Sequence, residues 1–419
     1  MNQDCASVSR IELQLCRNSR PVWMAQVCVV WISLVPFGAS RATAQTLNAQ
    51  TVPVPAPTVT TPQPRSQYIG DSEESEALAR DLSPSLTKAD VDRAMRKVAD
   101  WQLQRVQEHW SQDWTFAAMY TGFMAAANSL HETRYSNAML SMSTGFQWRL
   151  GPRQTHADDQ AIGQTYLQFY LQNHDPERLV HVREQYDRIM QLPDDPEKPV
   201  WWWCDALFMA PPVWARLYQA TQEKKYLDYM DSEWWITSKL LWDPDDHLYF
   251  RDATYFNKRE KNGKKIFWSR GNGWAMAGLA RVLEGMPADY SSRAKYVEQF
   301  QELAGRVLQL QGTDGLWKPS LLDAEDYPLP EVSGSAFFVY GLAWGVNHHL
   351  LNRAKYEPAI AKAWAGLIAH IYEDGRLGCI QPVGAAPGEF KPASSYVYGV
   401  GAFLLAGSEV RELKPRMGV

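Results

Sequence analysis

Residues 88–130 read KADVDRAMRKVADWQLQRVQEHWSQDWTFAAMYTGFMAAANSL, and the two halves of this stretch differ in character. In 88–110, Val91, Ala94, Val98, Trp101, Leu103 and Val106 recur at helical spacing among charged residues. That pattern predicts an amphipathic helix with one buried face. In 115–130 small and apolar residues run without a charge, which predicts a helix buried on all sides. The same alternation recurs along the chain: 134–149 then 159–171, 178–190 then 205–220, 224–241 then 272–285, 290–310 then 333–350, and 355–371 then 395–407. Six pairs of an outer and an inner helix predict an all-α architecture, an (α/α)6 barrel. An open helical solenoid uses the same repeat, and the completion of the sixth pair near the C-terminus favours closure. Short strands are expected only around Tyr249–Arg251 and in the 311–320 loop.

The flanks read differently. Residues Val22 to Gly38 are largely apolar, follow Arg17 and Arg20, and precede Ala42-Thr43-Ala44, an A-x-A cleavage pattern. Residues 1–44 are therefore expected to be a signal peptide, with the mature protein exported to the periplasm or the exterior and no membrane span left after cleavage. A membrane anchor, or a start at Met24, are the competing readings. Residues 45–70 (QTLNAQTVPVPAPTVTTPQPRSQYIG) form a Pro/Thr-rich linker or disordered leader, and 71–419 the catalytic domain. Beyond the signal only Cys204 and Cys379 remain, as one disulfide or two buried thiols. The net charge of −5 is mild and its signs are interleaved, so nucleic acid is excluded as a partner. The 18 tryptophans are unusual. Most are expected to fill the core, and a few to line a cleft where sugar C–H faces stack on aromatic rings.

The loops that enter the predicted inner helices carry the polar chemistry. They contain Arg153 to Asp159, Trp201-Trp202-Trp203-Cys204-Asp205, Phe267 to Trp274, Glu331 to Ser335, and Ser394-Ser395-Tyr396. Taken singly, an Asp or Ser there is an N-cap. Capping, however, requires neither the tryptophans nor the arginine. Helix N-termini also favour an anion, so a sugar carboxylate suits this rim, with Arg270 and Arg251 as candidate partners. The same field lowers an aspartate's pKa, whereas burial beside Trp202, Trp203 and Phe208, or a second aspartate, raises it. No HExxH, EF-hand, P-loop or G-x-S-x-G pattern is present, and Gly271-Asn-Gly follows no strand. Neither a metal nor a cofactor is expected.

Three segments resemble a known group. They are Trp268 to Glu284 (WSRGNGWAMAGLARVLE, with the pattern WxRxNGW), Trp203-Cys-Asp205-Ala-Leu-Phe-Met-Ala-Pro-Pro212, and His156-Ala-Asp158-Asp159-Gln-Ala-Ile-Gly163-Gln-Thr-Tyr166. The chain is similar over roughly residues 85–410 to the unsaturated glucuronyl and rhamnogalacturonyl hydrolases, glycoside hydrolase families 88 and 105, and closer to 105. The resemblance implies an (α/α)6 barrel and an unusual reaction. The substrate is an oligosaccharide bearing a 4,5-unsaturated uronic acid left by a polysaccharide lyase. An aspartic acid protonates C4, water adds at C5, and the hemiketal rearranges and expels the aglycone. By resemblance Asp205 is the general acid and base, assisted by Asp159, which fits that place better than Asp158. Arg270, Trp268 and Trp274 line the uronate subsite, and Trp203, Asp158, Arg251, His247 and Asn272 complete the expected binding residues. One departure stands out. Many rhamnogalacturonyl members carry a histidine where this chain reads Leu248-Tyr-Phe-Arg251-Asp252-Ala-Thr-Tyr255, with His247 close by. Arginine there leaves the aglycone open among rhamnose, galactose and a sulfated sugar.

Two other function classes use the same features. An inverting glycosidase or a lyase on a helical barrel would act on intact polysaccharide. A non-catalytic sugar-binding protein would keep the tryptophans without needing both Asp159 and Asp205.

Overall fold

The computed structural model describes residues 77–413 except 193, 194, 196 and 197. The expected signal and leader, 1–70, lie outside the described residues. The helices alternate along the chain as α1 (Lys88–Val106) and α2 (Trp114–Leu130), then α3 (Thr133–Gly145), the one-turn α4 (Ala157–Gln160) and α5 (Gly163–Asn173). There follow α6 (Glu177–Ile189), the one-turn α7 (Ala206–Met209) and α8 (Pro211–Thr221), then α9 (Lys225–Leu241), the hairpin β1 (Trp242–Asp243)–β2 (Leu248–Tyr249) and α10 (Ser269–Gly285). The last four are α11 (Arg293–Gln309), α12 (Val332–Asn347), α13 (Arg353–Ile368) and α14 (Val397–Val410).

Burial separates the two kinds of helix. In α11 only Tyr296, Gln299, Phe300, Leu303, Ala304 and Val307 are buried, a stripe at helical period. In α12 every residue from Val332 to Val346 is buried. The inner helices α2, α5, α8, α10, α12 and α14 pack each on the next, and α14 packs back on α2. That last contact makes a barrel of what could have been a solenoid. It depends on glycine. A Cβ on Gly122 of α2 would lie 2.5 Å from the Gly401 carbonyl oxygen, and one on Gly401 of α14 would lie 2.5 Å from that of Ala118. Backbones this close leave no room for any side chain at the seam.

Two expected inner helices are interrupted. The run expected over 205–220 breaks at Ala210, because Pro211 and Pro212 lack the N–H that would continue it and start α8 at its first turn instead. The run expected over 159–171 is divided into α4 and α5. The strand expected near Tyr249 is one arm of the β1–β2 hairpin, and the 311–320 loop contributes only a bridge from Ser320 to Trp268. Cys204 and Cys379 are buried free thiols. Seven tryptophans, at positions 201, 214, 234, 274, 317, 344 and 364, are fully buried, so core filling accounts for much of the tryptophan content.

Candidate active site

The side chains of residues 201–203, which run into the bridge made by Trp203, alternate in burial with a period of two. Trp201 is 1% exposed, Trp202 47% and Trp203 4%. This segment is laced to the one after β2: the Cys204 N–H donates to the Arg251 carbonyl at 2.9 Å, and Trp203 bridges Asp252 antiparallel. The pairing sets Arg251 beside Asp205 at the N-terminal end of α7. The Arg251 Nε lies 3.4 Å from Asp205 Oδ2, and its Nη1 donates to Asp252 at 2.6 Å.

Asp205 occupies the N-cap position of α7, yet its side chain caps nothing. Its Oδ2 is buried with no hydrogen-bond partner. Burial raises the carboxyl above the usual aspartate range, against the opposing charges of Arg251 and Arg270.

The two aspartates of the α4 turn separate in function. Asp159 is committed to Arg153: it accepts the Arg153 backbone N–H at 2.6 Å and its Nε at 3.0 Å. It also packs so tightly on Gly151 that a Cβ there would lie 2.6 Å from its carboxyl carbon. Asp158 is the carboxyl that feels Asp205. Burial first, and then the charge of Asp205, push it up to about 7, with Arg153 opposing. His156 adjoins it, its Nδ1 3.6 Å from Asp158 Oδ2 and its ring 4.9 Å from that of Trp203. Burial and Arg153 hold this imidazole below its ordinary pKa, so it is neutral near pH 7. The sequence motif points to Asp159; in the structure Asp159 is bound to Arg153, and Asp158 is the one raised by the charge of Asp205. The α4 turn sends adjacent side chains in different directions, which a linear motif does not encode.

Several expected binding residues are instead built into the frame. Arg270 is fully buried, with Nη1 donating to the Gln381 carbonyl at 2.6 Å and Nη2 to the Pro382 carbonyl at 2.7 Å. Its guanidinium lies over Trp268 and Tyr398, 3.8 Å from Glu331. Its Nε has no hydrogen-bond partner, but the guanidinium is fully buried, and its influence on Asp205 is through charge. Trp268 is buried and donates to the Gln381 side chain at 3.0 Å. Trp274 is wholly buried against Trp114, Phe208 and Phe337. Asn272 clamps Tyr249, accepting its N–H at 2.7 Å and donating to its carbonyl at 3.0 Å. His247 ends the β1–β2 turn, directly before Leu248, with a positive φ of 51°, its Nδ1 3.5 Å from Glu302 of outer helix α11. The structure does not bring it to Asp205. Trp203 is buried and supports Trp202, ring centres 4.6 Å apart. Arg251 alone of the expected cationic residues is both partly exposed and in contact with Asp205.

The sequence marks Trp202 only as an apolar neighbour of Asp205, and it assigns no role to Asp252 or Gln381. The Trp201–Trp203 alternation held a period-two signal for the first. Asp252 and Gln381 carry none, since their roles arise from pairing across the fold. Among the described residues no three or more His, Cys, Asp or Glu side chains gather as a metal site, and no helix is long and apolar enough to cross a membrane.

The sequence profile described as Glycosyl Hydrolase Family 88 matches residues 87–414. An unsaturated 3S-rhamnoglycuronyl hydrolase of Formosa agariphila is 38% identical over 348 residues, 78% of this chain and 92% of that protein. A solved structure of a family 88 glycosyl hydrolase from Bacteroides vulgatus superposes with a TM-score of 0.74 at 33% identity, covering 78% of this chain and 99% of that one. A structure described as a polysaccharide lyase superposes with a TM-score of 0.75 at 34% identity, covering 79% of this chain and 99% of that one. A profile match along the whole barrel and relatives of this similarity show that the chain belongs to glycosyl hydrolase family 88 and is a hydrolase of the glycosidase type.

Proposed function

We propose that the chain removes a 4,5-unsaturated uronic acid from the non-reducing end of lyase-generated oligosaccharides by hydrating the C4=C5 double bond. The observation that carries this reading is the Asp205–Asp158 pair, two carboxyls whose burial favours the protonated form, beside a partly exposed arginine. Coupled carboxyls titrate as a pair, and this one retains a proton into the neutral range. Arg251 receives the uronate carboxylate. That neutralises the charge holding Asp205 down, so substrate binding itself raises the proton affinity of Asp205. Asp205 then protonates C4. Water adds at C5 and returns its proton to the carboxylate pair, and the hemiketal opens to release the aglycone. Trp202 offers a ring face for stacking. The name of the Formosa relative supports a rhamnose-type aglycone.

Asp205→Asn tests the assignment. The variant is expected to fold and to bind substrate, yet to lose almost all turnover, because an amide supplies no proton. In heavy water the active enzyme places deuterium at C4 of the product. Near-normal kcat in well-folded Asp205→Asn removes Asp205 from the mechanism. The structural relative described as a polysaccharide lyase gives the second reading. The sign of the ultraviolet change separates the two: hydration destroys the conjugated double bond and absorbance falls, whereas a lyase creates it and absorbance rises.

We also propose that residues 1–44 are a signal peptide removed on export. The basic residues, apolar stretch and Ala42-Thr43-Ala44 support this. Mass spectrometry of protein from its native host is expected to find an N-terminus near Gln45, and an intact 1–44 segment refutes it.

A further inference from the structure

The far end of the barrel holds a second concentration of charge. Arg216 of α8 and Arg281 of α10 are buried there, 7% and 4% exposed. Both point their guanidinium at one neutral acceptor. Gln164 Oε1 takes the Arg281 Nε at 2.6 Å and the Arg216 Nη1 at 3.4 Å. The Gln164 amide cannot turn away, because its Nε2 donates to the Phe208 carbonyl at 2.8 Å. Arg216 reaches one carboxylate, Glu284 at 3.5 Å, whose side chain is 51% exposed and therefore well screened. Arg281 Nη2 is buried with no acceptor at all. Glu409 also lines this end, but burial favours its neutral form and it is bonded to Asn347. The C-terminal ends of α2, α10 and α14 add partial negative charge, which helps tolerate arginine here but gives Arg281 Nη2 no partner. Two buried like charges with so little compensation call for a counter-ion. A cavity of ≈ 210 Å³ lies against both arginines, bounded also by Tyr340 and by three carboxyl side chains, Glu284, Glu409 and Glu412, the last already paired with Lys88 at 3.3 Å and Arg411 at 2.9 Å. It falls below the roughly 300–1,000 Å³ of a drug-sized ligand site.

We propose that this cavity binds a small tetrahedral oxyanion, of the sulfate or phosphate class, bridging Arg216 and Arg281. The site is separate from Asp205 and does not rest on the proposed reaction. Calorimetry on the intact protein at constant ionic strength tests it, with sodium sulfate, sodium phosphate and sodium chloride titrated separately. Saturable one-site binding of sulfate or phosphate is expected, with a parallel rise in Tm and no such response to chloride. Arg281→Gln is expected to weaken binding at least tenfold, and Arg251→Gln to leave it intact. The opposite pattern places the anion at the catalytic end and overturns the proposal, as does the absence of saturable binding to the unaltered protein. If Arg281→Gln does not fold, selenate soaked into crystals of the unaltered protein decides. Anomalous density between Arg216 and Arg281 supports the site, and density elsewhere or none overturns it.

Discussion

Replacing Asp158 with asparagine is expected to stabilise the protein while harming its chemistry, and the size of the gain follows from the site. In the folded protein burial and the neighbouring Asp205 raise the Asp158 carboxyl from its ordinary 3.8 to about 7. The folded state therefore binds more protons than the unfolded state between those two values. Stability contributed by this group falls as pH rises through that window, and the loss is complete above about 7. At about 1.36 kcal/mol for each tenfold change in proton affinity, the full cost of ionising Asp158 in place is on the order of 4 kcal/mol. Water entry and local relaxation reduce such figures, so a gain of roughly 1–4 kcal/mol is expected near pH 8. Asparagine matches the protonated side chain in shape and never ionises. The advantage of the variant should thus shrink below about 1 kcal/mol near pH 4, where Asp158 is neutral in the folded state. Urea unfolding of both proteins at the two pH values, followed by tryptophan fluorescence, measures it. A variant equally or less stable near pH 8, or a difference independent of pH, refutes the reasoning that Asp158 is a desolvated carboxyl facing a like charge.

Two further substitutions separate frame from site. Arg270→Met leaves the buried Glu331 without its counter-charge and the Pro382 carbonyl without the Arg270 donor, although Glu331 keeps its bonds from Ser333, Gly334 and Gln381, and is expected to cost roughly 3–5 kcal/mol in denaturant-measured stability. A normally stable variant whose sole defect is a raised KM restores Arg270 to the substrate carboxylate. Trp202→Ala removes a half-exposed ring; losing about 1 kcal/mol of stacking is expected to raise KM several-fold with little change in Tm, and an unchanged KM excludes the ring from the sugar subsite.

The helices were legible because an outer helix must show charge on one side and apolar residues on the other, while an inner helix shows almost none of the former. The contrast between 88–110 and 115–130 is a direct imprint of that difference. The interruptions were less legible. Pro211 and Pro212 hold the signal for one, which the continuous run expected over 205–220 leaves unused, and the break between α4 and α5 has no proline to mark it. Motif residues such as Arg270, Asn272 and Trp274 were legible as special, yet their direction was not. The N-terminus of α10 is surrounded by the β2 hairpin, α12 and the 381–382 segment, so these side chains meet protein before they meet solvent.

The sequence by itself determined the alternation of six outer and six inner helices, the family resemblance, and Asp205 as the residue to examine, since periodicity and motif are properties of chain order. Tertiary structure alone decided that the ring closes through Gly122 and Gly401, that Asp159 is bound to Arg153 while Asp158 feels the charge of Asp205, and that Arg251 rather than Arg270 remains partly open at the site. Each of these depends on which segments far apart in the chain come within a few ångströms. Desolvation and charge act through that distance, not through sequence separation.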